Sequence, residues 1–185
     1  TQKLFTQGSL ITTDNALDAA IEGSGFFQVL LPDDRIGYTR NGTFSRNAEG
    51  VLTTGSGYVV QPEIQIPEGA SQINISGNGV VSIVADGAVV AEEVGQLTLA
   101  DFANPRGLQP VGESFSVETQ ASGPPIIANP QEEGFGKLVQ GALESSNVNV
   151  VQELVDMIET QRAYEVSSKS ISSVDEMLRF LSQNL

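Results

Sequence analysis

The chain has no cysteine and no histidine among its 185 residues. Without cysteine it can form neither a disulfide nor a thiolate nucleophile. Without histidine it lacks the commonest general base and the commonest zinc ligand, so neither a Ser-His-Asp nor a Cys-His arrangement can exist. An enzyme built on this sequence would therefore have to rely on carboxylates.

The carboxylates of the sequence include the adjacent pairs Asp33–Asp34, Glu92–Glu93 and Glu132–Glu133. Neighbouring side chains point to opposite faces of a strand, whereas in a turn both usually face water. Such pairs therefore do not supply the two facing carboxylates of a glycosidase. The loop residues Asp14, Asn15 and Asn78 do not match the spaced oxygen ligands of a calcium loop. We predict no catalytic residue, no cofactor and no metal site.

Positive charge is also scarce, with 9 Lys and Arg against 23 Asp and Glu and a formal net charge of -14. This charge repels phosphate backbones, so we predict that nucleic acid is not a partner. No uninterrupted apolar run approaches the length of a membrane span, so we predict no membrane insertion. Residues 1–20 lack the pattern of a secretory signal, and since the first residue is Thr we expect further sequence upstream.

Glycine and proline are missing from the last part of the chain: all 19 Gly and all 8 Pro lie before residue 142. This break predicts a β-rich region followed by a helix. We divide the chain into an extended leading segment at 1–16, an antiparallel β domain at 17–120, an extended return connector at 121–146 and a helix at 147–185. The expected fold class is mainly β with a long C-terminal helix.

Short β-branched and aromatic runs, separated by Gly, Pro, Asn or Asp, are typical of antiparallel strands and lead us to expect that 17–120 folds by itself. Asp86–Gly87 predicts a two-residue hairpin turn, and Asn41–Gly42 a second turn. Three Gly-x-Gly motifs, at 23–25, 55–57 and 77–79, each precede apolar residues. We interpret them as turns into strands, because a phosphate-binding loop needs a helix N-terminus after it.

The helix is predicted to begin at Asn149, a good N-cap, with Gln152 placed as in a capping box. Its apolar residues recur every seven positions: Val150, Met157, Tyr164, Ile171, Leu178 and Leu185. A strict seven-residue repeat favours supercoiling against another helix. We therefore predict that this row is an assembly seam.

The companion row beside the seam is mixed. It is apolar near both ends and polar in the middle; the residues are Leu154, Ile158, Gln161, Ser167, Ser168, Val174 and Leu181. Glu165 before Lys169 and Asp175 before Arg179 predict exposed ion pairs on the polar face. A helix folded back on its own β domain is the alternative, but such a helix usually has a wider apolar stripe and ends sooner.

Two blocks of sequence are similar to a known family. These are "GYTRNGTF" followed by "GVLTTGSGY", and "SNVNVVQELVDMIETQRAYE" near the C-terminus. With them the chain resembles the bacterial flagellar rod and hook proteins from Thr1 to Leu185. The resemblance implies that the C-terminal helix lies in the inner tube of the axle, paired with an N-terminal helix that carries the export signal upstream of Thr1. It also implies an outward-facing β domain.

The resemblance further implies a structural protein of the basal-body rod, which spans the periplasm, self-assembles in a helical lattice and transmits torque from motor to hook. The implied partners are further copies, neighbouring rod and hook subunits, and the surrounding rings. Another rod or hook subunit is one alternative. A secreted β-rich carbohydrate-active enzyme or adhesin with a coiled-coil stalk is another, and it predicts a cleft with converging carboxylates.

Overall fold

The structure is a computed structural model that describes residues 5–87 and 90–183. The chain divides into two compact units, Thr1–Ser146 and Asn147–Leu185, which we call the β unit and the helical unit. In the described residues the β unit is built from antiparallel strands and the helical unit from one long α-helix. The predicted fold class, mainly β with a long C-terminal helix, is confirmed.

The strands of the β unit are three to six residues long, and glycines or short polar turns separate most of them. In chain order they are β1 (Leu10–Thr12), β2 (Ala19–Glu22), β3 (Phe27–Leu30), β4 (Ile36–Thr39), β5 (Phe44–Arg46), β6 (Leu52–Thr54), β7 (Val59–Gln61), β8 (Ala70–Ile75), β9 (Val80–Ala85), β10 (Glu92–Gln96), β11 (Leu99–Asp101), β12 (Gln109–Gly112), β13 (Phe115–Val117), β14 (Ile126–Ala128), β15 (Lys137–Gln140) and β16 (Ala142–Glu144).

The largest sheet has seven strands in the order β12-β13-β4-β3-β7-β6-β5. A three-stranded sheet has the order β10-β9-β8, and three strand pairs complete the unit: β1 with β16, β2 with β15, and β11 with β14. The larger of two apolar clusters joins the seven-stranded sheet, the three-stranded sheet and the β2–β15 pair, because its buried side chains come from all three. Phe27 and Phe44 meet edge to face in this core, with ring centroids 5.0 Å apart.

The segment 121–146 differs from the extended connector that the sequence predicted. It contains β14, β15 and β16, which pair with β11, β2 and β1. The register of β15 places Leu138 opposite Ile21, and both side chains are buried. Since its strands pair with partners far away in the sequence, this segment is part of the β unit, which extends to residue 146.

The three Gly-x-Gly motifs lead into β3, β7 and β9, as predicted. The two-residue hairpin turn predicted at Asp86–Gly87 is wrong. β9 ends at Ala85 and β10 begins at Glu92, so six residues connect them, of which 88 and 89 lie outside the described residues. The N–H of Asp86 donates to the carbonyl of Gly69, 2.9 Å away, so the chain continues along β8 before it turns.

Asn41–Gly42 is not a hairpin turn either, because β4 and β5 are not neighbours in the seven-stranded sheet. The Asn41 side chain instead accepts hydrogen bonds from the N–H and hydroxyl of Thr43. Gly42 lies against β2, where its carbonyl accepts a hydrogen bond from the N–H of Ala19 (3.0 Å). A Cβ on Gly42 would lie only 1.6 Å from the carbonyl oxygen of Ala19. Glycine is therefore required here for close approach of two backbones.

We expect Gly42→Ala to lower the free energy of unfolding of the β unit by about 2–3 kcal/mol, since the obstructing atom is backbone and cannot rotate away. Gly55→Ala is the matched control, because a Cβ there meets nothing within 4 Å. Urea denaturation followed by the NMR signals of the β unit measures both variants. Equal midpoints for the two variants would contradict the close approach.

The helical unit contains α1 (Val150–Gln183). The side-chain oxygen of Asn149 accepts hydrogen bonds from the N–H groups of Val151 and Gln152, at 3.1 and 3.3 Å, so the predicted N-cap is confirmed. The reciprocal half of the capping box does not form. Gln152 donates instead to the carboxylate of Asp156 one turn later (2.9 Å), since that carboxylate is an anionic acceptor at helical spacing.

Candidate functional site

The surface of α1 is the main candidate site, because large apolar side chains are exposed along its length. Of the predicted seam, Val150 is 67% exposed, Met157 55%, Tyr164 77%, Ile171 64% and Leu178 59%, while Leu185 lies outside the described residues. Every side chain of α1 that is described, from residue 150 to 179, is exposed. An isolated helix of this kind is only marginally stable in water, so its apolar side chains require a partner.

The apolar side chains of α1 form two patches rather than one straight stripe. Successive residues of an α-helix are about 100° apart, so Leu154 and Val174 point in directions about 160° apart. Leu154 lies with Val150 and Met157 on one side of the first half, and Val174 lies with Ile171 and Leu178 on the other side of the second half. The predicted seam runs along the edge that the two patches share.

The middle of α1, between the two patches, is polar apart from Ala163, Tyr164 and Val166. Here Ser170 donates its hydroxyl hydrogen to the carbonyl of Val166, 2.8 Å away. The structure shows no ion pair between Glu165 and Lys169, which the sequence predicted. An exposed pair of this kind gains at most a few tenths of a kcal/mol, which is too little to hold two long side chains together.

In the part of the chain that the structure describes, no helix is both long and apolar enough to cross a bilayer.

The first quoted motif, "GYTRNGTF", has a structural role in the β unit that centres on Arg40. The Nε of Arg40 donates to Glu144 (2.7 Å), and its two terminal nitrogens donate to the carbonyls of Ile21, Gly23 and Gly25 at 3.0–3.3 Å. Glu144 in turn accepts from the N–H of Gly8 (2.9 Å). This one guanidinium therefore ties the end of β4 to the β2–β3 turn and to β16.

We expect Arg40→Met to lower the free energy of unfolding of the β unit by about 3 kcal/mol, because the Glu144 carboxylate, whose side chain is only 11% exposed, would lose its cation. Arg35→Met is the control. Its pair with Asp33 is about half exposed, and water screens such a pair so that it contributes little to stability. The measurement is urea denaturation of both variants, and similar midpoints would show that the Arg40 pair does not hold the unit together.

The adjacent carboxylate pairs lie on the surface. Asp33 pairs with Arg35, whose hydrogen bond lowers the pKa of that carboxyl. Glu92 and Glu93 are exposed on β10, and Glu132 and Glu133 are exposed in the turn that precedes β15. Asp33 shares the lining of a recess with Glu113, but its carboxylate is paired there with Arg35.

An open cleft of about 700 Å³ lies between the loop Thr13–Ala16 and the β8–β9 strands. Asp14 is the one carboxylate among the described residues that line it. Glycoside hydrolysis normally requires two carboxylates facing each other across the bond that is cleaved. This cleft therefore does not match the arrangement that the carbohydrate-active alternative predicts.

The sequence matches two families of known proteins. Residues 20–83 match the family described as "Flagellar hook protein FlgE/F/G D1 domain", and residues 139–184 match "Flagellar basal body rod FlgEFG protein C-terminal". The first match contains "GYTRNGTF" and the strands of the seven-stranded sheet up to β7. The second contains β16 and α1.

Individual relatives agree with these matches over most of their length. The flagellar basal-body rod protein FlgG of Buchnera aphidicola subsp. Acyrthosiphon pisum is 52% identical over 99% of this chain and 70% of the relative. FlgG of Caulobacter vibrioides is 45% identical over 98% of this chain and 69% of the relative. The rod protein FlgF of Escherichia coli is 35% identical over 93% of this chain and 69% of the relative. The chain therefore belongs to the family of flagellar basal-body rod proteins that includes FlgG.

Proposed function

We propose that this chain is a structural subunit of the flagellar rod, at its distal part, and that it assembles through α1 into a helical tube that transmits torque from motor to hook. The observation that carries the proposal is the exposed apolar surface of α1, which needs neighbouring helices to cover it. The FlgG relatives are 38–52% identical to this chain, against 35% for FlgF of Escherichia coli, which favours FlgG among the related subunits.

In this proposal the protein acts by packing against other subunits and not by converting a substrate. Long helices that pack side by side resist bending and twisting, and the two patches of α1 allow one helix to contact neighbours on two sides. A subunit that uses different surfaces toward successive neighbours forms an open filament instead of a closed ring. As a structural subunit, the protein is not an enzyme.

The location and partners follow from the same proposal. The subunit lies in the basal body, in the part of the rod that spans the periplasm, and reaches it through the flagellar secretion apparatus. Its partners are further copies of itself and the adjoining rod and hook subunits, which contact it through helices and β units. The surrounding rings, which act as a bushing, face the β unit. Because the net charge of the chain is -14, a positively charged inner surface of the rings would attract the subunit and a negatively charged one would repel it.

Complementation tests the proposal. The full gene that encodes this chain is introduced into cells from which the FlgG gene has been deleted, and isolated basal bodies are examined by electron microscopy. We expect complete rods with hooks attached and restored swimming. Rods that stay truncated while the protein is exported at the normal level would contradict the proposal.

A further inference from the structure

Arg106 differs from the other cations that are described in the β unit. Those others are all bonded: Arg35 to Asp33, Arg40 to Glu144, Lys137 to Glu22, and Arg46 to the carbonyl of Pro67. Arg106 is exposed and has neither a hydrogen bond nor an ion pair. In a chain with 23 acidic residues, a cation without an acidic neighbour is available to another molecule.

The backbone beneath Arg106 is held firmly. Arg106 lies in a 3₁₀ turn, Pro105–Gly107, just before β12. The hydroxyl of Thr119 donates to the carbonyl of Gly107 (2.7 Å), and the side-chain amide of Asn104 donates to the carbonyl of Ala121 (2.9 Å). A Cβ on Gly107 would lie 2.5 Å from the backbone of Ala121. The turn is therefore preorganised, which lowers the entropy that is lost when Arg106 binds.

A recess of about 340 Å³ lies at the other end of β12, where the β12–β13 turn meets the turn after β3. Its apolar wall includes Leu31 and Phe115, which are buried, and Tyr58, whose ring meets Phe115 edge to face with centroids 5.3 Å apart. The exposed Glu113 is part of the lining and has no hydrogen bond or ion pair. Asp33 and Arg35, which pair with each other, also line the recess. With two carboxylates and one guanidinium the lining keeps a net negative charge, so the recess offers an apolar wall for an arginine stem and the unpaired carboxylate of Glu113 for its guanidinium.

The cation and the recess lie at opposite ends of one strand. β12 has four residues and spans roughly 10–13 Å, so Arg106 cannot reach the recess of its own chain without unfolding the strand. β12 is also an edge strand, but Pro110 lacks the N–H that edge-to-edge pairing with a second strand requires. Pairing of two copies along the β12 edge is therefore disfavoured. Two copies can still meet where the ends of their strands face each other.

We propose that Arg106 of one copy inserts into the recess beside Glu113 of the next copy, so that β units stack end to end. The occupant is a second copy because the chain carries both complementary groups. They lie at opposite ends of β12, so one copy can bind a second copy through each of them, and such a head-to-tail contact generates an open chain unless it closes into a ring. This inference rests on the proposed function, since it describes how subunits of the rod meet outside their helices.

These 185 residues contain no cysteine that would compete with an introduced pair in a cross-linking test. Arg106→Cys and Glu113→Cys are combined in the full-length protein, which is expressed in cells lacking their own copy. Isolated rods are oxidised and run on a non-reducing gel. The two positions of one chain are too far apart for an internal disulfide, which needs Cα atoms within about 7 Å. We expect a ladder of multimers, whereas Arg106→Cys combined with Glu68→Cys, an exposed residue away from the recess, should give roughly tenfold less cross-linked product.

Each other result overturns the inference. Products that stop at the dimer indicate a closed pair through the β12 edges, and a ladder no stronger than that of the control indicates that the two ends do not meet. In either case normal rods leave the proposed function intact.

Charge reversal at the two positions is an independent test of the contact between Arg106 and Glu113. It remains applicable if the double cysteine variant does not assemble. We expect Arg106→Glu or Glu113→Arg alone to reduce the number of complete rods roughly tenfold, and the double variant to restore it. No loss in the single variants, or no recovery in the double variant, overturns the contact.

Discussion

A chain that ends at residue 120 should not fold, whereas a chain that ends at residue 146 should give a stable β unit. The shorter fragment lacks β15 and leaves β2 without its strand partner. It also lacks Leu138, which is 4% exposed and whose burial contributes about 1.5–3 kcal/mol, and Glu144, the carboxylate that Arg40 binds. The combined loss approaches the total stability of a typical domain, about 5–15 kcal/mol.

Two-dimensional NMR spectra of the two fragments make this comparison. We expect a dispersed spectrum from residues 1–146 and a collapsed one from residues 1–120. A dispersed spectrum from the shorter fragment would support the boundary that the sequence predicted and would make the last three strands an addition to a complete core.

The sequence predicted the class of the fold but not the extent of the β unit, and β15 shows why. Its residues, Lys137–Gln140, do not alternate between polar and apolar and lie between Gly136 and Gly141, so they resemble loop sequence. They become a strand because β2, more than a hundred residues earlier, offers an open edge. Local patterns carry no information about such a distant partner, whereas a helix is specified by neighbouring residues.

Glycine alone did not identify the turns: the Gly-x-Gly motifs lead into strands as predicted, but the hairpin turn predicted at Asp86–Gly87 is wrong. The β12–β13 hairpin was missed because its two-residue turn uses Glu113 and Ser114, with positive φ angles of 49° and 67°, instead of the Asn-Gly that usually signals such a turn. Gly42 was assigned to a turn although it is needed for contact with Ala19. Glycine in a sequence indicates an unusual backbone or a close approach, and only the structure distinguishes the two.

The candidate site was more predictable because it depends on one continuous helix. The seven-residue row and the Asn149 cap follow directly from the order of residues, and the described side chains of the row are exposed. The sequence did not predict that the apolar surface divides into two patches. The predicted row, which includes Val150, Met157 and Tyr164, follows the edge that the two patches share. A straight α-helix drifts about 20° per heptad from a strict seven-residue repeat, so a single row cannot describe where each half is apolar.

Assembly of the rod should fail when a charge is placed on the seam. We expect Met157→Asp and Ile171→Asp each to abolish incorporation while the β unit stays folded. On a free helix the new carboxylate is hydrated, because both positions are exposed. Between packed helices it loses its water without gaining a partner, which costs several kcal/mol in every subunit. Glu176→Gln, on the polar side of α1, should change assembly little, since exposed charges contribute about 0–1 kcal/mol.

The most direct measurement is the number of complete rods in basal bodies isolated from cells that carry one of these three variants in the full gene and no other copy. The seam predicts normal rods for Glu176→Gln and none for Met157→Asp or Ile171→Asp, with all three proteins exported in equal amounts. Normal rods from both aspartate variants would contradict the seam, and α1 would then not be the surface through which this subunit assembles.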